Sequence, residues 1–73
     1  MPEEIKDTHR PLIRKIRQLR HDAGLLQKEV AEEIGVSRQT YQQYESGKEW
    51  IPEERIRSLA ELYNVSIEYL LND

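Results

Sequence analysis

Apolar residues recur every three or four positions in five separate stretches of the chain, without the alternation typical of a β-strand. Each of the first four stretches is followed by glycine or asparagine, and these residues end helices because they accept a left-handed conformation. The four residues are Gly24, Gly35, Gly47 and Asn64. The pattern therefore predicts an all-α domain of five short helices.

The helix boundaries follow from capping residues. The second helix is predicted over 27–34, and the third follows Ser37, whose hydroxyl can accept a backbone N–H, and ends near Glu45. Ser66 caps the last helix in the same way. Residues 1–10 are charged and lack an apolar period, so we predict an N-terminal arm there and one folded domain over 11–73.

The third predicted helix has an unusual polar face. At about 100° per residue, an arginine, three glutamines and a serine share one side, and two tyrosines lie opposite. Arginine can donate two hydrogen bonds to guanine, and glutamine can pair with adenine through both groups of its amide. A merely solvated face would more often carry Glu and Lys in i, i+4 pairs. The face therefore favours base reading in a major groove. Its members are Arg38, Gln39, Gln42, Gln43 and Ser46.

Composition limits the other classes of function. A chain of 73 residues forms one small domain, and the lack of cysteine excludes disulfides and thiolate metal sites. We find no apolar run that could span a membrane, no nucleophile paired with a base, and no glycine-rich phosphate loop. The sequence predicts a cytoplasmic protein that is not an enzyme and that has no cofactor, metal or small-molecule ligand.

Charge is distributed unevenly along the chain. The net charge is −3, yet residues 10–28 hold six basic residues and one acid, a net +5. Residues 49–73 hold six acids and two arginines, a net −4. A local basic surface beside the third helix can contact phosphates even when the whole chain is acidic.

Many positions in register make the chain resemble the Xre family of bacterial and phage regulators, the Cro and phage-repressor type of helix-turn-helix domain. The resemblance covers about residues 12–71. It rests on Gly24-Leu25, Gln27, Ala31, Gly35-Val36-Ser37-Arg38, Tyr44-Glu45, Gly47, Pro52, Leu59-Ala60 and Asn64-Val65-Ser66.

The resemblance implies a five-helix, lambda-repressor-like domain whose third helix enters the major groove of double-stranded DNA, as a homodimer on a palindromic operator. It places base reading at Arg38, Gln39, Gln42 and Gln43. It places phosphate contacts at Gln27, Ser37, Thr40, Tyr44, Ser46 and Lys48, and it lets Gln27 also brace the third helix.

Several residues depart from the family pattern or carry two interpretations. Leu26 replaces the usual Ser or Thr cap of the second helix, and Tyr41 replaces Ile or Val and needs a hydroxyl partner if buried. Trp50 either contacts DNA or a partner, or packs on its own domain, which we favour. We expect His9 and His21 to be surface residues, and each arginine of the first helix to be solvated.

Two functions from different classes remain open. The first is a sequence-specific transcriptional regulator, expected to act as a repressor. The second is a protein-interaction module, antirepressor-like or antitoxin-like, that kept the fold without binding DNA; the net negative charge supports it. We also predict dimerisation through an apolar C-terminal end formed by Ile67, Tyr69, Leu70 and Leu71.

Overall fold

The structure is a computed structural model that describes the backbone of residues 2–72 and the side chains of residues 9–72. Five helices and no strand are found in that range, which confirms the all-α prediction. The helices are α1 (Pro2–Asp22), α2 (Gln27–Ile34), α3 (Arg38–Ser46), α4 (Glu53–Tyr63) and α5 (Ile67–Leu71).

Helix α1 begins much earlier than predicted. Its backbone is helical from Pro2, through the segment that we expected to be a loose arm. Proline fixes a helical φ and needs no N–H in a first turn, and acids favour the positive end of a helix, so Pro2, Glu3 and Glu4 suit a helix start. The absence of an apolar period hid this start. The division of the chain into an arm at 1–10 and a domain at 11–73 stays a prediction.

The other helix ends lie where the capping residues predicted them. Gly24, Gly35, Gly47 and Asn64 all have positive φ, between 57° and 82°. Ser37 and Ser66 accept the backbone N–H of the residue three positions later, at 3.0 Å in both cases. Local sequence therefore determines how α2, α3, α4 and α5 are separated.

One apolar core holds the helices together, and α3 packs against both α1 and α2. Twelve buried side chains form the core: Leu12, Ile16, Val30, Ala31, Ile34, Tyr41, Tyr44, Ile51, Ile56, Leu59, Ala60 and Leu70. None of the helices within residues 2–72 combines the length and the apolar character that a membrane crossing requires.

The C-terminal end is less available to a partner than the sequence indicated. Leu70 is fully buried in the core of its own domain, and Ile67 packs against that core. Tyr69 and Leu71 remain exposed, by 49% and 40%. The prediction of a four-residue apolar dimer surface is therefore wrong for Leu70, because this side chain belongs to the core; Ile67 is half-buried against that core.

Candidate nucleic-acid interface

Helix α3 divides into a buried and an exposed side, as its wheel predicts. Tyr41, Tyr44 and Glu45 are buried, and the two tyrosine rings meet edge to face at 6.3 Å between centroids. The exposed side carries Arg38, Gln39, Gln42 and Ser46, with Gln43 half-buried at its border. The side chains of Arg38, Gln39 and Gln42 have no hydrogen-bond partner among residues 9–72, so their donors and acceptors face solvent.

Glu45 is the buried residue that fixes α3. The residue is 4% exposed, and its carboxylate accepts hydrogen bonds from three other side chains. Arg20 donates from Nε to Oε2 at 2.7 Å and from Nη2 to Oε1 at 3.2 Å. Gln27 donates from Nε2 to Oε1 at 3.0 Å, and Tyr41 donates from its hydroxyl to Oε2 at 2.5 Å. These four side chains form what we call the Glu45 network, and it joins α1, α2 and α3.

The Glu45 network controls the ionisation of its members. Burial would raise the pKa of the Glu45 carboxyl, but hydrogen bonds from Arg20, Tyr41 and Gln27 hold that pKa below its ordinary value. Burial and the bond to Glu45 raise the pKa of the Tyr41 hydroxyl. Glu45 is therefore an anion and Tyr41 a neutral donor at neutral pH.

Sequence reasoning missed the roles of Arg17, Arg20 and Glu45. We expected the arginines of α1 to be solvated, which is wrong for Arg20 because its side chain is only 12% exposed. Arg20 also donates to the carbonyl of Leu25 at 2.9 Å, and Arg17 donates to the carbonyl of Glu45 at 2.8 Å. The positions of Arg20 and Glu45 in the sequence gave only a weak signal, because charges this far apart along the chain meet only once it has folded.

A basic groove lies at the N-terminal end of α3. It has a volume of about 440 Å³ and is lined by Arg20, Leu26, Gln27, Lys28 and Arg38. Gln27 uses one amide N–H inside the Glu45 network, and its amide retains a second N–H. The predicted bracing role of Gln27 is confirmed, and its predicted phosphate contact stays a prediction.

A second basic groove lies at the C-terminal end of α3. It has a volume of about 310 Å³ and is lined by Arg10, Ile13, Arg14, Arg17, Ser46 and Gly47. Helix α3 has nine residues and so is roughly 13 Å long. That length is close to the width of a B-DNA major groove, about 12 Å. Each end of α3 therefore carries a groove lined by basic side chains.

The predicted phosphate residues are placed unevenly around α3. Ser37 and Thr40 form one cap, in which the Ser37 hydroxyl donates to Thr40 Oγ1 at 2.9 Å. The hydroxyl proton of Thr40 therefore remains available to donate to another group. Lys48 is exposed, and its backbone N–H donates to the Gln43 carbonyl at 3.0 Å, which orders the loop after α3. Tyr44 differs from the others because it is only 3% exposed. The phosphate roles of all these residues stay predictions.

His9 of α1 and Trp50, in the loop between α3 and α4, form a stacked pair. Their ring centroids are 3.9 Å apart at an interplanar angle of 30°. His9 is 4% exposed, so the prediction of a surface histidine is wrong: the Trp50 ring covers it. Burial lowers the pKa of the His9 imidazole. Trp50 packs on its own domain, as we favoured, and is still 45% exposed.

The capping of α2 also differs from the usual form. Leu26 offers no side-chain acceptor, as the sequence indicated, but its backbone N–H donates to Glu29 Oε1 at 2.8 Å. The backbone N–H of Leu26 at the start of α2 is thus satisfied from within the helix.

No group of three or more His, Cys, Asp or Glu side chains within the described part of the chain could hold a metal ion.

Two short helices joined by a tight turn, with the second presenting a polar face between two basic grooves, define a helix-turn-helix domain. Comparison with known families agrees, since the helix-turn-helix family matches residues 13–70. The chain belongs to this family and is of the Xre type.

Two curated relatives are similar to most of the chain. The cryptic phage CTXphi transcriptional repressor RstR of Vibrio cholerae is 44% identical over 59 residues, which is 81% of this chain and 53% of the relative. The uncharacterised HTH-type transcriptional regulator YobD of Bacillus subtilis strain 168 is 37% identical over 57 residues, 78% of this chain and 51% of the relative. The chain spans about half the length of these curated relatives. No solved structure gives a significant match to the chain.

Proposed function

We propose that this protein is a sequence-specific DNA-binding transcriptional regulator that acts as a repressor. The observation that carries the proposal is the exposed face of α3, whose Arg38, Gln39 and Gln42 make no hydrogen bond within the described domain. The name of the Vibrio cholerae relative, a transcriptional repressor, supports the same function.

The mechanism follows from the rigidity of α3. The Glu45 network attaches the buried side of α3 to α1 and α2, so the exposed side chains begin from fixed positions. Arg38 and Gln43 then read base edges in the major groove. Lys48 and Gln27 contact the phosphates on either side, and occupation of the operator excludes other proteins from that DNA. We place this activity in the cytoplasm.

The first experiment tests base reading. A duplex selected from random DNA serves as the operator, and its affinity is measured for wild type and for Arg38→Ala and Gln43→Ala. Each variant should lose about 1–3 kcal/mol of binding free energy and should relax specificity at one base pair. Wild-type affinity and specificity in both variants would contradict the assigned roles.

The second experiment tests phosphate contacts. Lys48→Ala should weaken binding to all duplexes alike and should reduce the slope of log affinity against log salt concentration by about one. Gln27→Ala should also weaken binding to all duplexes alike, but it should keep the salt slope because its amide is uncharged. It should lower stability as well, because it removes a donor from Glu45. Arg57→Ala is a control of equal charge on α4, where Arg57 pairs with Glu53 at 2.7 Å. An unchanged salt slope in Lys48→Ala would exclude its phosphate role.

The alternative function is a protein-interaction module that does not bind DNA, which the net charge of −3 favours. Retention on DNA and on heparin at low salt separates the two functions. Flow-through on both columns, together with specific capture of a protein partner, would replace the proposal by this alternative.

We also propose that the operator is palindromic and is bound by a homodimer. One nine-residue α3 reads few base pairs, and two copies one helical turn apart would double the contacts. Exposed Tyr69 and Leu71 on α5 are the apolar groups that such an interface would use. Sedimentation that gives a monomer both free and on the selected duplex would exclude the dimer.

A further inference from the structure

Leu26 is more exposed than the other large apolar side chains of the described domain. It is 64% exposed, compared with 49% for Tyr69 and 45% for Trp50. It lies at the N-cap of α2, a position where Ser, Thr, Asp and Asn are strongly favoured. The sequence therefore has an apolar group in water at a position where a polar group would stabilise the helix.

The structure compensates for the missing acceptor. Leu26 has the extended backbone of an N-cap, with φ −85° and ψ 156°, and its carbonyl accepts from Glu29 at 3.0 Å and from Val30 at 3.2 Å. Its own N–H donates to the Glu29 carboxylate at 2.8 Å. Meanwhile the neighbouring Leu25 packs against the core. The Leu26 side chain therefore makes no cap hydrogen bond and is not among the side chains that form the core or pack against it.

The location of Leu26 indicates its partner. It lies in the groove of about 440 Å³ at the N-terminal end of α3, where the other lining residues are Arg20, Gln27, Lys28 and Arg38. Three of these four side chains are cationic, which suits the phosphates of DNA and not an apolar partner protein. In a major groove, the apolar group that base pairs present is the 5-methyl of thymine.

Building on the proposed function, we propose that Leu26 is a specificity-determining residue that contacts the 5-methyl group of a thymine, close to the base pair read by Arg38. The side chain has no hydrogen-bonding atom, so it recognises the methyl group through removal of apolar surface from water. Burial of one methyl-sized group corresponds to a three- to fivefold change in affinity.

A uracil scan tests this contact. Each thymine of the selected duplex is replaced in turn by deoxyuridine, which lacks only the 5-methyl group. Wild type should bind three- to fivefold more weakly when one particular thymine of the half-site is replaced. Leu26→Ser should bind the thymine and deoxyuridine forms of that position equally, and should keep the wild-type response at other positions.

Control variants separate recognition from folding. Leu26→Ser supplies a capping hydroxyl, so its midpoint of thermal unfolding should equal or exceed that of wild type. Leu26→Met keeps an apolar side chain and should keep the response to deoxyuridine.

The outcomes distinguish this inference from the function on which it rests. If wild type selects a duplex and binds it with salt-dependent affinity, but no thymine responds or Leu26→Ser responds as wild type does, the thymine contact is excluded and the regulator function stands. If wild type selects no duplex, both are excluded.

Discussion

The guanidinium of Arg20 holds both carboxylate oxygens of Glu45, and this contact links α1 to α3 across 25 residues of sequence. The side chains are 12% and 5% exposed, so water screens their interaction weakly. Because Glu45 lies on the buried side of α3, the contact sets the rotation of the helix about its axis. The same rotation determines which residues of α3 face outward.

Removal of Arg20 should show how much this contact contributes. Arg20→Gln leaves the Glu45 carboxylate buried without its cationic partner, and we expect a loss of about 3–5 kcal/mol in the free energy of unfolding. Arg57→Gln is the matched control, since Arg57 and Glu53 are also 2.7 Å apart but are 59% and 77% exposed. That exposed pair should contribute less than about 1 kcal/mol. Urea denaturation followed by circular dichroism measures both, and equal losses would refute the argument from burial.

Acid should weaken the domain through Glu45. The pKa of Glu45 is lower in the folded chain than its ordinary value of 4.5, so the unfolded chain binds more protons in that range. The stability from this group is complete above about pH 4.5 and is lost as the pH falls through the lower, folded pKa. We expect wild type to lose stability more steeply than Glu45→Gln in urea denaturation below pH 4.5. Parallel pH profiles for the two proteins would show that Glu45 is not responsible.

Two tyrosines offer a paired test of hydroxyl burial. The Tyr41 hydroxyl donates to Glu45, whereas the buried hydroxyl of Tyr63 has no hydrogen-bond partner among the side chains that the structure describes. Tyr41→Phe should therefore lower the free energy of unfolding by about 1–3 kcal/mol, as for a lost bond to a charged group. Tyr63→Phe should leave it unchanged or raise it by about 1 kcal/mol, because it removes an unsatisfied polar group. The midpoint of thermal unfolding should fall in Tyr41→Phe and should stay the same or rise in Tyr63→Phe. A fall in Tyr63→Phe would contradict the argument.

The stacked pair of His9 and Trp50 should be detectable in solution by fluorescence. Trp50 is the single tryptophan of the chain, so intrinsic fluorescence reports on this pair. Burial lowers the pKa of His9 from 6.5, so the fluorescence should stay constant near pH 7 and change at a midpoint below pH 6.5. The stability that neutral His9 contributes is present above pH 6.5 and is lost as the pH falls through the lower, folded pKa.

Two variants assign that fluorescence change. His9→Gln should abolish it, and His21→Gln should preserve it. A midpoint at or above pH 6.5 in wild type, or a transition that persists in His9→Gln, would contradict a buried neutral imidazole against the indole ring.

The sequence predicted those features that depend on neighbouring residues. Gly35 and Asn64 end helices because of their own backbone freedom, and Ser37 caps α3 through a bond only three residues long. The exposed polar face of α3 was also predictable, since helical periodicity alone separates Gln42 from Tyr41.

Features that depend on distant residues were not predictable. Arg20 and Glu45 are charged, and a charged residue is expected at the surface unless its partner is known. His9 is buried by Trp50, which lies 41 positions later in the sequence. Leu70 resembled a surface contact because a five-residue helix shows too little periodicity to reveal which side faces the core.

The separation of buried and outward side chains on α3 has a consequence for how the domain can change. Arg38, Gln39 and Gln42 support nothing inside the described fold, so replacing them does not weaken the scaffold that carries them. New sequence preferences can therefore accumulate on this helix one residue at a time, with no compensating change elsewhere. A domain built in this way is a suitable starting point for redirecting a regulator to a chosen DNA site.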